Sequence, residues 1–162
     1  MFDTHRLATA CSTLADTFNV TSLDAGSVVL DSATPGATIN FQSVEALNGN
    51  AGNDRFVLGL SGRVSNAING GADVDTIAAP NMANTFVVNA NNAGTLTNAT
   101  GVVGFASVES LEGNSNVDTF TINAGFTLGG NITAGLAADV VTLQAGAVVT
   151  GNVSLGSNDD QM

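Results

Sequence analysis

Apolar residues in this chain alternate with small or polar ones, as in Phe120-Thr121-Ile122 and Val141-Thr142-Leu143. A period of two belongs to strands, and the helical spacing of i, i+3, i+4, i+7 is not sustained. The alternating stretches also recur at a fixed distance. DRFVLGLSGRVSNAINGGADV from Asp54, DTFTINAGFTLGGNITAGLAA from Asp118 and DVVTLQAGAVVTGNVSLGSND from Asp139 align without a gap over 21 residues, and Asp75 and Asp160 keep the same step. Two residues after the Asp stand Phe56, Phe120 and Val141; four after it, Leu58, Ile122 and Leu143. Ten after it stand Val64, Leu128 and Val149; fourteen after it, Ile68, Ile132 and Val153; seventeen after it, Gly71, Gly135 and Gly156. A fixed period between about 20 and 50 residues signals a solenoid or array.

Fully extended, 21 residues would reach roughly 70 Å at about 3.3 Å each, far longer than an ordinary strand. Each unit must therefore turn several times, and Asn and Gly supply corners because they tolerate left-handed backbone. Stacked coils would pair each strand in parallel with its copy about 4.8 Å away. The expected fold is all-β, a parallel β-helix (β-solenoid) with rungs of about 21 residues, about seven of them between residues 16 and 162. Phe18, Phe56, Phe86 and Phe120 are expected to face inward, with no helix beyond a short N-terminal cap.

A longer repeat overlies the short one. FQSVEALNGN from Phe41 recurs as FASVESLEGN from Phe105, a shift of 64, and Asp16-Thr-Phe-Asn-Val recurs as Asn84-Thr-Phe-Val-Val, a shift of 68. The difference of four points to a small insertion at Ser32 to Pro35, expected as a corner bulging from one rung. The organisation read from this is a non-repetitive leader or cap at 1–15 and one domain at 16–162. Its modules are 16–83 and 84–147, with a partial third at 148–162.

Composition narrows the function. The chain of 162 residues carries 14 acids against three Lys and Arg, a formal charge of −11. A nucleic-acid partner, which needs cations against phosphate, is excluded. No run of 18 apolar residues suggests a membrane span, and MFDTHRLATACSTLA lacks the apolar stretch of a signal peptide. His5 and Cys11 are the only residues of their kinds, and both fall in that leader, so the one thiol forms no internal disulfide.

Gly49-Asn-Ala-Gly52-Asn-Asp54-Arg-Phe56-Val and Gly70-Gly71-Ala-Asp73-Val-Asp75-Thr-Ile77-Ala resemble the nonapeptide G-G-x-G-x-D-x-U-x of haemolysin-type (RTX) calcium-binding proteins. Gly113-Asn-Ser-Asn-Val-Asp118 and Ala134-Gly135-Leu-Ala-Ala-Asp139 match more loosely. The resemblance implies Ca²⁺ held by turn carbonyls and by the carboxylates of Asp54, Asp73, Asp75, Asp118 and Asp139. The family's motifs run in tandem every nine residues, whereas these recur every 21. VEALNGNAGNDRFVL, AINGGADVDTI and NTFVVNANNAGTL are also similar to repeats of bacterial surface proteins of the filamentous-haemagglutinin or autotransporter-adhesin kind. That resemblance implies a secreted or cell-surface module in adhesion, with a surface carbohydrate or protein receptor.

Simpler readings compete at each site. Asp before a strand and after Gly or Asn is commonly a turn residue bonding its own backbone. Asp73 with Asp75, and Asp159 with Asp160, could pair for glycoside chemistry, but no His, Lys or Tyr lies in the repeat to assist. No catalytic residue and no other cofactor are expected. Asn131 and Asn152 fall in one column as a corner ladder. Thr95/Thr97 and Thr119/Thr121 raise ice binding, but too few rungs carry such pairs to form a flat array. The final unit opens at Asp160 without a polar cap, and self-association through that rung is expected. The expectation is thus a structural or adhesive module without catalysis. A calcium-binding RTX-like module comes second, and a carbohydrate-binding or carbohydrate-active β-helix third.

Overall fold

The computed structural model describes residues 6–7, 13–31 and 36–162. His5, Cys11, the Ser32 to Pro35 insertion and most of the expected N-terminal cap lie outside the described residues. Among the described residues the chain is all-β and contains no helix, hence none long and apolar enough to cross a membrane.

Among the described residues, two sheets of eight strands and one of two make up the fold. The first sheet runs, in spatial order, β1 (Arg6–Leu7), β5 (Ala46–Ala51), β7 (Ala67–Ala72), β11 (Gly101–Ala106), β10 (Ala93–Asn98), β9 (Asn84–Ala90), β13 (Asp118–Ile122) and β16 (Val140–Leu143). The second runs β18 (Val153–Ser154), β15 (Ile132–Gly135), β12 (Ser110–Asn114), β8 (Thr76–Ala78), β6 (Arg55–Leu58), β2 (Thr17–Ser22), β3 (Ala25–Leu30) and β4 (Ala37–Gln42). β14 (Thr127–Leu128) pairs with β17 (Val148–Val149).

The 21-residue period is the register of the parallel pairs: Leu47 opposite Ile68, Phe56 opposite Ile77, Leu111 opposite Ile132, Phe120 opposite Val141 and Ile132 opposite Val153. Alternation sends these residues to one interior. Phe18, Phe56, Phe86 and Phe120 are fully buried. Phe18 stacks on Phe56 with centroids 4.6 Å apart, and Phe86 on Phe120 at 5.0 Å, each pair adding about 0.5–1.5 kcal/mol beyond its burial. Gly71, Gly135 and Gly156 hold φ of 115°, 119° and 95°, a left-handed corner that explains glycine seventeen residues after each Asp.

Pairing is not parallel throughout, as a simple coil requires. β2, β3 and β4 form an antiparallel meander, and so do β9, β10 and β11. The cause is local. Only two residues, Leu23-Asp24 and Asn91-Asn92, join the first two strands of each meander, and the second adopts φ of 55° or 52°. A two-residue connection can only reverse the chain into an antiparallel neighbour. Phe18 therefore meets Phe56 at a step of 38 residues, and Phe86 meets Phe120 at 34. The strands spent in meanders leave fewer full turns than the seven expected. The four-residue difference also finds its place: six residues separate β3 from β4, and two separate β10 from β11. The leader is not wholly outside the repeat either, since Arg6–Leu7 pairs with Ala46–Leu47.

The two copies of the long repeat exchange sheets. β2, β3, β4, β6 and β8 lie in the second sheet, while their counterparts β9, β10, β11, β13 and β16 lie in the first. Conversely β5 and β7 belong to the first sheet and their counterparts β12 and β15 to the second. The copies join where β11 pairs with β7 and β12 pairs with β8.

Candidate functional site: two columns of carboxylates

Asp54 lies two residues before Phe56, so the parity that buries the ring also turns the carboxylate inward. Asp54, Asp75, Asp118 and Asp139 are all buried. Each reaches across to the strand before it. Asp16 N–H donates to Asp54 Oδ1 at 2.7 Å, Asp54 N–H to Asp75 Oδ1 at 2.7 Å, and Asp75 N–H to Glu109 Oε2 at 2.9 Å. A second column repeats the pattern: Asn84 N–H donates to Asp118 Oδ1 at 2.9 Å, Asp118 N–H to Asp139 Oδ1 at 2.7 Å, and Asp139 N–H to Asp160 Oδ1 at 2.9 Å. The expected turn residue bonds its own backbone; these bond the backbone at the start of a paired strand. Farther along, Asn131 Oδ1 accepts from Asn152 N–H at 2.8 Å, so the Asn pair forms its ladder through backbone donors.

The other oxygen of each buried carboxylate, Oδ2 of Asp54, Asp75, Asp118 and Asp139, has no hydrogen-bond partner. Burial drives the pKa up from 3.8 to about 7 at Asp54, opposed by the Asp16 N–H and reinforced by the charges of Asp75 and Asp16. Asp75 rises to about 6 by burial, against its bond from Asp54, with Glu109 and Asp73 adding repulsion. Asp118 rises to about 6 by burial, and the Asn84 side-chain amide and N–H hold it back. Asp139 is also raised by burial.

Gly49 and Gly70 stand five residues before Asp54 and Asp75, and a Cβ on either would overlap the orphan Oδ2 of that Asp. The first glycine of each RTX-like motif is thus explained by close approach to a carboxylate.

Asp73 behaves differently. It is exposed with φ of 79°, and its Oδ2 accepts from Gly52 N–H at 3.1 Å. Of the five carboxylates expected at calcium, Asp54 and Asp75 lie in one column, Asp118 and Asp139 in the other, and Asp73 outside. Among the described residues no group of three His, Cys, Asp or Glu side chains is placed to hold a metal ion. Ca²⁺ takes six to eight oxygens, whereas these carboxylates offer one enclosed oxygen each, and burial favours its protonated form. Among the described residues these carboxylates do not converge on one point where that ion could be shared. Nor do Asp73 and Asp75 face a common space, since Asp73 is exposed and Asp75 buried.

Glu109 and Asn84 are column members that the Asp spacing did not reveal. Asn84 was findable, because the shift of 68 sets it opposite Asp16. No protein-family model, no curated protein and no solved structure matches the chain.

Proposed function

We propose that this chain is a β-solenoid of 21-residue rungs, interrupted by two antiparallel meanders, and that it works as a structural and adhesive module of a secreted or surface protein without catalysing a reaction. The observation that carries the reading is the pair of carboxylate columns. In each, one rung's side chain hydrogen-bonds the backbone of the next, so neighbouring rungs hold each other through the protein's own groups. Burial of the Phe, Leu, Ile and Val columns supports it, complete except in the last units, where Leu143 is exposed and Val149 and Val153 are partly buried. An exported location rests on the similarity of the repeats to bacterial surface proteins.

Melting in the presence of calcium and then of chelator tests the reading. An unchanged transition, together with an elongated particle in small-angle scattering, is the expected result. A calcium-dependent rise that Asp73→Ala removes would replace it with the calcium-binding module. A scattering profile of a compact sphere would remove the solenoid.

A further inference from the structure

The outward residues of the β9–β10–β11 meander and of β13 and β16 fall into two straight rows. Val102, Thr97, Thr85, Thr119 and Val140 stand opposite one another across five adjacent strands, and Gly104, Thr95, Val87, Thr121 and Thr142 form the row beside them. Six of the ten are threonine and none is charged, in a chain with 14 acids. Thr85, Thr97 and Thr142 are exposed, and Thr95, Thr119 and Thr121 partly so. None of the six hydroxyls has a hydrogen-bond partner among the described residues, where the threonine hydroxyls that donate are those of Thr38, Thr100 and Thr150.

We propose that this face binds ice, its ligand being the ordered water at the surface of a growing crystal. Strands repeat about every 4.8 Å across a sheet, and alternate residues repeat about every 6.6–6.8 Å along a strand. The rows therefore present hydroxyls and methyls on a two-dimensional grid, and the oxygen spacings of hexagonal ice lie close to both repeats. The register is unbroken along both rows, the irregularity between β9 and β10 falling at Ala93/Gly94 outside them, and the rings of Phe86 and Phe120 stack beneath. Threonine suits the task because its branched side chain is restricted at χ1, so little freedom is lost when water freezes onto it. Its methyl orders the water around it while its hydroxyl joins the lattice. A charged side chain would hold its hydration shell in a geometry foreign to ice.

The meander is what makes the array. Stacked coils alone would align only β9, β13 and β16, and the antiparallel return adds β10 and β11. The equivalent rows on the other sheet differ: Thr38, Val29, Thr17, Arg55 and Thr76 keep three threonines but place a charge among them, and Asn40, Ser27, Asn19, Val57 and Ala78 contain no threonine.

Thermal hysteresis and ice shaping of the purified chain test the proposal. The expected result is a gap between melting and freezing that grows with protein concentration, with faceted crystals. Thr121→Lys should reduce the gap at least about fivefold, and Thr121→Ser, which removes one methyl, should reduce it partly. Thr38→Lys on the opposite sheet should leave it unchanged. Circular dichroism near 4 °C confirms that each variant is folded. Absence of any gap in the folded parent protein, or an undiminished gap in both Thr121 variants, overturns the proposal. So does a parent without a gap whose oligomers dissociate on Thr121→Lys, which would make the face a protein interface instead.

Discussion

The two meander sheets are alike within and unlike without. Beneath β2 and β6 lie Phe18 and Phe56, and beneath β9 and β13 lie Phe86 and Phe120, fully buried and stacked in both places. On the outside, the position held by Arg55 in one copy is held by Thr119 in the other, and Arg55 reaches Glu112 with paired bonds of 2.6 and 2.5 Å. The interior is dictated by parallel strands whose paired positions, 21, 34 or 38 residues apart, each bury an apolar side chain. The exterior is free of that constraint, so a difference there reflects what the surface meets rather than what the fold requires.

Breaking the comparison begins with the rings. Phe56→Ala and Phe120→Ala should each cost about 3–5 kcal/mol in denaturant unfolding, the usual range for removing a buried aromatic. Equal losses keep the two sheets equivalent; survival of one variant with near-native stability would end the parallel.

The carboxylates come next. A folded-state pKa above the unfolded value means that the folded protein binds the proton more tightly. Stability is then fully present below the unfolded value near 3.8 and is lost as pH rises through about 6 at Asp75 and Asp118 and about 7 at Asp54. The melting temperature should accordingly fall between pH 4.5 and 7.5. Asp54→Asn keeps an acceptor for the Asp16 N–H and removes the buried charge. It should raise stability at pH 7.5 by on the order of 1–3 kcal/mol, the scale of an unsatisfied buried group, and flatten the pH curve.

A smaller change sharpens the contrast between columns. Asp118 rises less than Asp54, and Asn84 stands where the first column has Asp16. Asn84→Asp should lift the Asp118 titration toward that of Asp54, read by carboxylate NMR, and cost about 1 kcal/mol at pH 7.5, since one pKa unit corresponds to about 1.4 kcal/mol. The smallest effect belongs to the surface. Arg55→Thr gives the second sheet the first sheet's residue and should cost at most about 1 kcal/mol, vanishing in high salt, because the pair is partly solvated.

Much of the interior was legible in the sequence, because a ring or branched residue recurring every 21 positions has only one side to occupy. The direction of the strands was not. Alternation is the same read up or down a strand, so Phe86 and Leu96 gave no hint that β9 and β10 run oppositely; that information sat in the short Leu23-Asp24 and Asn91-Asn92 turns. The inward aim of Asp54 was available, since it shares the parity of Phe56 and Leu58, but an ionisable group at a strand start reads more readily as a corner. The threonine grid depended on the direction of the strands alone. Thr95 and Thr97 could be placed beside Thr85 and Thr119 only once the return strand was known.

The exchange of sheets between the two repeat copies acts as a half-step in the architecture. Each added copy of this unit carries its decorated side to the opposite flank, so a surface that appears on one flank returns to it only after two additions. A lineage that lengthens such a chain by single duplications would alternate its working side, whereas one that duplicates in pairs would extend a continuous strip.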